Sequence, residues 1–378
     1  MILKNQIAAI ILIATFSTGA PPSDVNETNS TTIIEEHHVY KQFKRGGTTC
    51  QFPNYEGMVS VQASGANAGW AMHYDQVCEP GQWCPYACKP GMLMGQWDPD
   101  VTSYTYPGSQ YGGLYCQDDG TLKTPFPDKD YCYQGKGTVT AKNQCGGGSV
   151  AFCQTVLPGN EEMLIPTEVD GEVTLAVPGT EYWAGTAAHY YVNPPGISTD
   201  DACKWGSTSN PCGNWSPYVA GANMDDSGNT YVKIGWNPVY LEETCPFKNE
   251  KPSFGIRIVC DDESSCVGLP CGIDPGSCDV NGISSGSGTS GAGGGAFCVV
   301  TAKNNAKARI EVFDSGQGGG GGGGSNQSSG GGSTATSSRG ATGAPIKAKR
   351  DEVPQPGHKH NEPITVTKTE YKTITILQ

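Results

Sequence analysis

The chain has 378 residues, with 24 Lys or Arg and 37 Asp or Glu, and a formal net charge of −13. The charge lies in the middle of the chain, where residues 46–315 hold 13 basic and 29 acidic side chains. Proteins that bind nucleic acid present basic stripes to the phosphates, so this balance argues against a nucleic-acid partner. A neutral or cationic ligand fits it better.

The first residues have the pattern of a secretory signal peptide. MILKNQIAAIILIATFSTGA contains one basic residue, Lys4, then an apolar run from Ile7 to Phe16, then small residues to Ala20. The apolar run is shorter than the roughly 20 residues that a membrane-spanning helix needs, and no later segment approaches that length. The sequence therefore predicts a signal peptide at 1–20 and a secreted chain without a membrane span.

Two further features agree with export. The pair Lys44-Arg45 is typical of a processing site, which predicts a short pro-segment at 21–45 and a mature chain that begins near Gly46; two solvated basic residues are the alternative. Asn-x-Ser/Thr triplets predict N-glycosylation at four asparagines, Asn26, Asn29, Asn214 and Asn326.

The cysteines favour disulfides. All 16 lie between Cys50 and Cys298, and an exported chain keeps such residues oxidised, in as many as eight bridges. The stretch CEPGQWCPYAC has C-x5-C and C-x3-C spacings and no nearby histidine, unlike a zinc site. We therefore expect no metal and no cofactor, and disulfide bonding of Cys50, Cys78, Cys84, Cys88, Cys116, Cys132, Cys145, Cys153, Cys203, Cys212, Cys245, Cys260, Cys266, Cys271, Cys278 and Cys298.

Short runs of β type, bounded by Gly, Pro, Asn and Asp, dominate the middle of the chain. The clearest are SVAFCQTV from Ser149, EVTLAVPG from Glu172, AAHYYV from Ala187, TYVKIGWNPVY from Thr230, FGIRIVC from Phe254, FCVVTA from Phe297 and ARIEVF from Ala308. They predict an all-β fold, a disulfide-stabilised β-sandwich with long loops over residues 46–315, with a possible subdomain seam near 135.

The two ends of the chain read differently. Residues 316–378 begin with a Gly/Ser-rich stretch that cannot bury enough apolar surface to fold, which predicts a disordered tail. The terminal ITVTKTEYKTITILQ alternates like a strand, but the sequence shows no partner for it.

Aromatic residues are concentrated in one loop between cysteines. Aromatic rings suit the C–H faces of sugars, so we expect substrate-binding roles for Trp83, Trp97, Tyr104, Tyr106 and Tyr111. The alternative is that some of these rings fill the core, since Tyr and Trp are intermediate in burial.

Glycoside hydrolysis needs two carboxyl groups, which limits the candidate catalytic residues. Asp98 has the best context because Trp97 beside it would shield it from water, and Glu161 and Glu162 in LPGNEEML are the other candidates. Asp100 and the pair Asp225 and Asp226 are weaker alternatives. Other catalytic motifs are missing, and the isolated histidines His73 and His189 read as structural.

The motifs together resemble the fungal SUN family of secreted, wall-associated proteins, which is unrelated to the nuclear-envelope SUN domain. The resemblance is carried by CQFPNYEGMVSVQASGANAGWAMHYDQVCEPGQWCPYACKPGMLMGQWDP, GGLYCQDDGTLKTPFPDKDYC and AFCQTVLPGNEEMLIPT, and runs from about Cys50 to Phe313. The family's cysteine pattern matches Cys78, Cys84, Cys88 and Cys116, so the opening stretch looks like a disulfide-stapled signature.

The resemblance implies a β-glucosidase or β-1,3-glucanase-like hydrolase of cell-wall β-glucan, acting in wall biogenesis and septation. It also implies maturation by a kexin-type protease at a dibasic site like Lys44-Arg45. The chain departs from many relatives in having only a short segment before Cys50 and a glycine-rich tail. A non-catalytic β-glucan-binding wall protein is the alternative, and a disulfide-stabilised protein that recognises another protein is a weaker one.

Overall fold

In the computed structural model, the described residues are 48–104, 111–159, 164–206, 212–286 and 288–316, together with the backbone of Ser30–Gln42 and Thr365–Leu377. Several predicted features lie outside the described residues. These are the signal peptide at 1–20, the pair Lys44-Arg45, Tyr106, Glu161, Glu162 and the sequons at Asn26, Asn29 and Asn326.

Apart from short 3-10 turns and one four-residue helix, α1 (Thr199–Ala202), the described elements are strands. In chain order they are β1 (Ser30–Gln42), β2 (Met58–Val59), β3 (Trp83–Cys84), β4 (Ala87–Cys88), β5 (Met92–Met94), β6 (Leu114–Cys116), β7 (Leu122–Lys123), β8 (Cys132–Gln134), β9 (Val139–Asn143), β10 (Val150–Gln154), β11 (Ile165–Val169), β12 (Glu172–Thr174), β13 (Ala188–Val192), β14 (Tyr218–Met224), β15 (Thr230–Trp236), β16 (Phe254–Cys260), β17 (Cys266–Val267), β18 (Cys271–Ile273), β19 (Ser284–Ser285), β20 (Thr289–Ser290), β21 (Ala296–Ala302), β22 (Ala308–Asp314) and β23 (Thr365–Leu377).

Two large sheets form a β-sandwich, as predicted. One has the order β11-β10-β13-β14-β15-β21-β17, with β20 added beside β21, and the other has the order β12-β9-β22-β16-β18-β19. Neighbouring strands are antiparallel except β9 and β22, which are parallel. The strands alternate buried and half-buried residues, as in β21, so one face of each sheet turns inward.

The core lies between these two sheets. Fully buried side chains from the first sheet, such as Phe152 and Ile234, share one cluster with Ile256 and Ile310 from the second. Removing a buried side chain of this size typically costs about 2–5 kcal/mol because a cavity is left behind. This core supplies the rigid base on which the loops of the candidate site are held.

Residues before Gly135 form a cysteine-rich region of small sheets. These are the pair β2-β4, the triplet β3-β6-β7 and the pair β5-β8. Their core contains Trp70, Tyr86 and Leu114, packed around half-cystines. Contacts group residues 46–318 as one unit, so the predicted seam near 135 marks a change of strand length inside it.

Six disulfides join twelve of the sixteen cysteines, which confirms the disulfide-stabilised fold. Three staple the cysteine-rich region (Cys50–Cys116, Cys78–Cys84, Cys88–Cys132), one ties β10 to the residue after α1 (Cys153–Cys203), and two connect strands of opposite sheets (Cys260–Cys266, Cys271–Cys298). The sequence analysis allowed as many as eight bridges, but four cysteines belong to none of these six: Cys145, Cys212, Cys245 and Cys278.

Two of the cysteines outside these six bridges have thiols with a raised pKa. Burial, followed by the neighbouring Asp314 carboxylate, raises the pKa of Cys145 to about 12, and burial also raises the pKa of Cys245. Cys212 donates its Sγ hydrogen to the carbonyl of Asp201 at 3.0 Å. A thiol with a raised pKa is a poor nucleophile, so Cys145 and Cys245 do not offer cysteine chemistry.

The two terminal strands form a separate ribbon. β1 pairs antiparallel with β23 along thirteen residues, from Ser30 opposite Leu377 to Gln42 opposite Thr365. The strand-like pattern at the end of the chain thus has a partner in the segment before the cysteine region, which the sequence analysis did not identify.

Candidate active site

The aromatic residues predicted to bind substrate divide into buried and exposed ones. Trp97 is only 8% exposed and belongs to a cluster of buried side chains, called the Trp97 cluster below. Tyr104 and Tyr111 are exposed, whereas Trp83 is half-buried against Tyr115 in the neighbouring strand β6. The Trp97 cluster consists of Leu93, Trp97, Leu157, Ala176, Tyr182 and Trp183.

Trp97 fixes the loop rather than presenting a free ring face. Its ring packs edge-on against Phe126 and Tyr182, and the Lys129 ammonium lies 5.0 Å from its centroid. Such contacts leave the predicted sugar-stacking role to Tyr104 and Tyr111. Tyr104 lies 6.4 Å from Trp183, ring to ring, at the edge of the cluster.

Asp98 lies at the border of this cluster in a tight turn. Its Oδ1 accepts the Asp100 N–H at 3.0 Å, and its own N–H donates to the Tyr111 carbonyl at 2.8 Å. Glu161 and Glu162 lie outside the described residues, but Pro158, shortly before them in the chain, lies against Gly112, the residue after Tyr111. A Cβ at Gly112 would collide with the carbonyl of Pro158, so only glycine allows this approach.

A second group of carboxylates surrounds a cavity of about 340 Å³, called the acidic pocket below. One wall is the segment ending at Glu181, the other is the hairpin turn between β14 and β15, and Lys136 and Asn305 complete the lining. The two walls are held together because the Met224 N–H donates to the Pro178 carbonyl at 2.9 Å. The acidic pocket is lined by Lys136, Gly179, Thr180, Glu181, Met224, Asp225, Asp226, Ser227, Gly228 and Asn305.

Glu181 is held ionised in the acidic pocket. Its Oε1 lies 2.8 Å from the Lys136 Nζ. Burial and the nearby Asp226 carboxylate raise the pKa of Glu181, but the hydrogen bond and charge of Lys136 outweigh them and the pKa is lowered. Asp226 lines the same pocket as Glu181.

Asp225 and Asp226 are neighbours in sequence but differ in their contacts. Burial raises the pKa of Asp225, but hydrogen bonds from Asn229, Tyr231 and Ser227 more than offset this and the pKa is lowered. Those bonds occupy Asp225 in forming the turn. Asp226 instead accepts the hydroxyl of Thr180, the residue before Glu181, so Asp226 links the two walls of the pocket.

The acidic pocket adjoins the Trp97 cluster through consecutive residues. Tyr182 follows Glu181 and donates its hydroxyl to the Leu157 carbonyl at 2.8 Å, while the Trp183 Nε1 donates to the Val101 carbonyl at 2.7 Å. The segment 180–183 therefore places a carboxylate in the pocket and two aromatic rings in the adjacent cluster. These rings are buried, so they support the wall that carries Glu181 rather than lining the pocket themselves.

Sequence reasoning missed Glu181 and Lys136 and rated Asp226 low. The available signal was PGTEYW, an acidic residue between a Pro-Gly turn and two aromatic residues. It was weak because no carboxylate partner lies nearby in sequence. Asp226 comes from a distant hairpin, and only the pairing of β14 with β15 fixes the position of that turn.

The structure also shows where the potential metal ligands and one predicted glycosylation site lie. The described residues contain one group of potential metal ligands, Cys50, Cys78 and Cys116, whose Sγ atoms lie within 4.8 Å of one another; all three are half-cystines, not thiolates. Asn214, one of the predicted glycosylation sites, is only 6% exposed and its Oδ1 accepts the Gly206 N–H at 2.7 Å.

A family model described as "Beta-glucosidase (SUN family)" matches residues 45–300, about two thirds of the chain. The chain belongs to the SUN family. It is 62% identical over 316 residues to the Saccharomyces cerevisiae protein named "Uncharacterized protein YMR244W", covering 82% of this chain and 88% of that protein.

Two further SUN-family relatives carry functional names. "Probable secreted beta-glucosidase adg3" of Schizosaccharomyces pombe is 56% identical over 273 residues, covering 72% of this chain and 24% of that protein. "Probable secreted beta-glucosidase UTH1" of Saccharomyces cerevisiae strain S288c is 35% identical over 263 residues, covering 66% of each. No solved structure matches the chain. Among the described residues, no helix has both the length and the apolar character needed to cross a bilayer.

Proposed function

We propose that this SUN-family protein hydrolyses or remodels β-glucan in the acidic pocket. The observation that supports this is that Glu181 and Asp226 both line a cavity that adjoins the Trp97 cluster. Its volume of about 340 Å³ is within the range of small-molecule sites. The names of adg3 and UTH1 agree with a glucosidase-like role.

The proposed mechanism assigns a different role to each carboxylate. Glu181, kept ionised by Lys136, acts on the anomeric carbon directly or takes the proton of the attacking water. Asp226 donates a proton to the glycosidic oxygen as the bond from that oxygen to the anomeric carbon breaks. If Glu181 attacks directly, water then attacks the anomeric carbon and breaks its bond to Glu181, while Asp226 takes back the proton of that water; if Glu181 is the base, water attacks in the same step in which the glycosidic bond breaks and Glu181 holds its proton. Retention of the anomeric configuration in the product would indicate direct attack by Glu181, and inversion would indicate that Glu181 activates the water.

Asp98, Glu161 and Glu162 stay in the proposal as competing catalytic candidates. Asp98 borders the Trp97 cluster, and its N–H donates to the carbonyl of the exposed Tyr111. In this assignment Tyr104 and Tyr111 would bind the next sugar units, and Trp97 would hold the loop that carries them.

The proposal extends to where the protein acts. The relatives named as secreted, together with the signal pattern at 1–20, support export, and the dibasic pair Lys44-Arg45 supports cleavage by a kexin-type protease. Action on β-glucan would then take place in the cell wall, in wall biogenesis and septation.

A specific observation favours the second candidate function, a non-catalytic β-glucan-binding wall protein. A glycosidase needs a proton donor with a raised pKa. Among the described residues, however, the carboxyl groups with a shifted pKa all have it lowered, namely Asp119, Glu181, Asp201, Asp225 and Asp262. A wall protein that only binds β-glucan needs no such proton donor.

Product release from β-1,3-glucan tests the proposal. The secreted, purified protein is compared with Glu181→Gln and Asp226→Asn, with Asp98→Asn as the competing candidate and Asp118→Asn as an exposed control. We expect release by the parent, a fall of about 100-fold or more in both pocket variants, and no fall in the control. A fall in product release with Asp98→Asn alone would show that the catalytic site lies at the Asp98 turn instead. Binding without release in every protein would support the second function.

A further inference from the structure

The most exposed aromatic side chains of the described residues lie away from the acidic pocket. Tyr74 is 68% exposed and Trp205 is 58% exposed, more than Tyr104 or Tyr111 in the loop that the sequence favoured. Neither residue lines the acidic pocket. Tryptophan is usually mostly buried, so an indole left in solvent on a folded loop requires an explanation.

The segment that carries Trp205 is held in place on both sides. Two residues before it, Cys203 forms a disulfide with Cys153 of β10, and one residue after it the Gly206 N–H donates to Asn214 Oδ1 at 2.7 Å. The buried part of this segment packs on the sheet through Ala202. The indole is therefore exposed on a loop whose backbone is already ordered, which lowers the entropy lost when a ligand stacks on it.

A second segment reaches the same place. The Gln62 Nε2 donates to the Cys203 carbonyl at 2.8 Å, and the loop that begins at Gln62 is closed by the Ala66 N–H donating to the Tyr74 carbonyl at 2.6 Å. The loop 62–66 thus makes one hydrogen bond to the segment that carries Trp205 and another to the backbone of Tyr74. Exposed rings on segments that are hydrogen-bonded to one loop can contact different units of a chain-like ligand.

The charges beside Trp205 favour a neutral ligand. Lys204, the residue before it, pairs with Asp201 at 3.0 Å, and the hydrogen bond and charge of Lys204 lower the pKa of Asp201. The cation next to the indole is therefore neutralised within the protein. A flat aromatic ring with polar groups around it suits the C–H face of a sugar ring.

We propose that Trp205 is the centre of a second, non-catalytic binding site for a neutral polysaccharide, with Tyr74 as its extension. The choice of β-glucan as the polysaccharide rests on the proposed function. Such a site would hold the protein on insoluble glucan while the acidic pocket acts on a chain end or a neighbouring chain. Loss of this site would affect binding to the polymer and leave action on short soluble substrates unchanged.

Sedimentation with insoluble β-1,3-glucan tests the proposal. The full secreted protein is compared with Trp205→Ala, with Trp205→Phe to keep a ring, and with Val267→Ala as a control that removes a side chain of similar exposure, 54%, from another strand. We expect about ten-fold weaker binding for Trp205→Ala, equivalent to about 1.4 kcal/mol, and near-parental binding for the other two. Circular dichroism shows that each variant is folded.

Product release from a short soluble β-1,3-oligosaccharide, measured on the same samples, separates this proposal from the proposed function. If no sample releases product while Trp205→Ala alone loses binding, the acidic pocket is not catalytic but the Trp205 site stands. If Trp205→Ala binds insoluble glucan as tightly as the parent, the Trp205 site is refuted whatever the product assay gives. Equal loss for Val267→Ala would also refute it, because the effect would not be specific to the ring.

Discussion

The two disulfides that cross the sandwich provide a quantitative test of what stabilises this domain. Cys271–Cys298 encloses 27 residues of chain and Cys260–Cys266 only 6, yet both connect strands of opposite sheets. A bridge stabilises mainly by restricting the unfolded chain, and the restriction grows with loop length. The chain-entropy relation gives about 3.5 kcal/mol for the longer loop and about 2.2 kcal/mol for the shorter one at 25 °C.

Replacing both cysteines of one bridge by alanine, in two separate variants, measures these contributions. We expect Cys271→Ala/Cys298→Ala to lose about 1.3 kcal/mol more unfolding free energy than Cys260→Ala/Cys266→Ala in urea titrations. Both replacements remove two sulfur atoms beside the same core, but Cys266 is only half-buried, so any difference in cavity cost adds to the larger loss expected for the longer loop. An equal loss, or a larger loss for the short loop, would contradict the entropic explanation and point to native-state packing instead.

Three further predictions concern single side chains. Burial, followed by the charge of Lys233, lowers the pKa of His189 to about 4 from the ordinary 6.5, so the unfolded chain binds this proton more readily than the folded one. The free energy of unfolding should therefore fall by on the order of 2 kcal/mol between about pH 7 and about pH 4.5. Urea titrations of His189→Gln at these pH values should lack that part of the fall. An unchanged pH dependence would contradict it. Lys136→Met should raise the pKa of Glu181, seen as a higher midpoint in an NMR titration of its carboxyl carbon, with Lys123→Met as an exposed control; an unmoved midpoint would show that the ion pair does not tune this group. Because Asn214 is buried and hydrogen-bonded, mass spectrometry of the secreted protein should find its peptide without a glycan, and an occupied site would mean that modification precedes folding of this loop.

The sequence predicted the strands that carry a strong alternating pattern. TYVKIGWNPVY became β15 over Thr230–Trp236, with Ile234 in the core, and ARIEVF became β22. The predicted end of the strand in the first run was wrong. Pro238 cannot donate to a sheet ladder, and residues Pro238–Leu241 form a 3-10 turn in which Asn237 caps the N-terminus.

Strands made of small residues were missed. β14, with the sequence YVAGANM, lies in the middle of the larger sheet and its Ala220 and Ala222 are in the core. Alanine and glycine give little hydrophobic contrast between the two faces of a strand, so alternation is hard to see. The partner Ala188, opposite Ala222 in β13, is equally small, which allows the chains to pack closely there.

The candidate site was predicted only in part because it is assembled from distant segments. Asp98 and Trp97 lie where their neighbours in sequence suggested, in a loop beside exposed tyrosines. Glu181 and Asp226 come together only because Pro178 pairs with the end of β14, a contact that local sequence does not encode. The burial of Trp97 likewise follows from Phe126 and Tyr182, which are far from it along the chain.

A crystal structure of the Glu181→Gln variant with a bound β-1,3-oligosaccharide tests the central claim most directly, because this variant keeps the shape of the acidic pocket while slowing turnover. We predict a sugar ring in the pocket, with its glycosidic oxygen within hydrogen-bonding distance of the Asp226 carboxyl and further units against Tyr104 or Tyr111. An oligosaccharide bound only at the Asp98 turn or only at Trp205, with the acidic pocket empty at saturating ligand, would contradict the account.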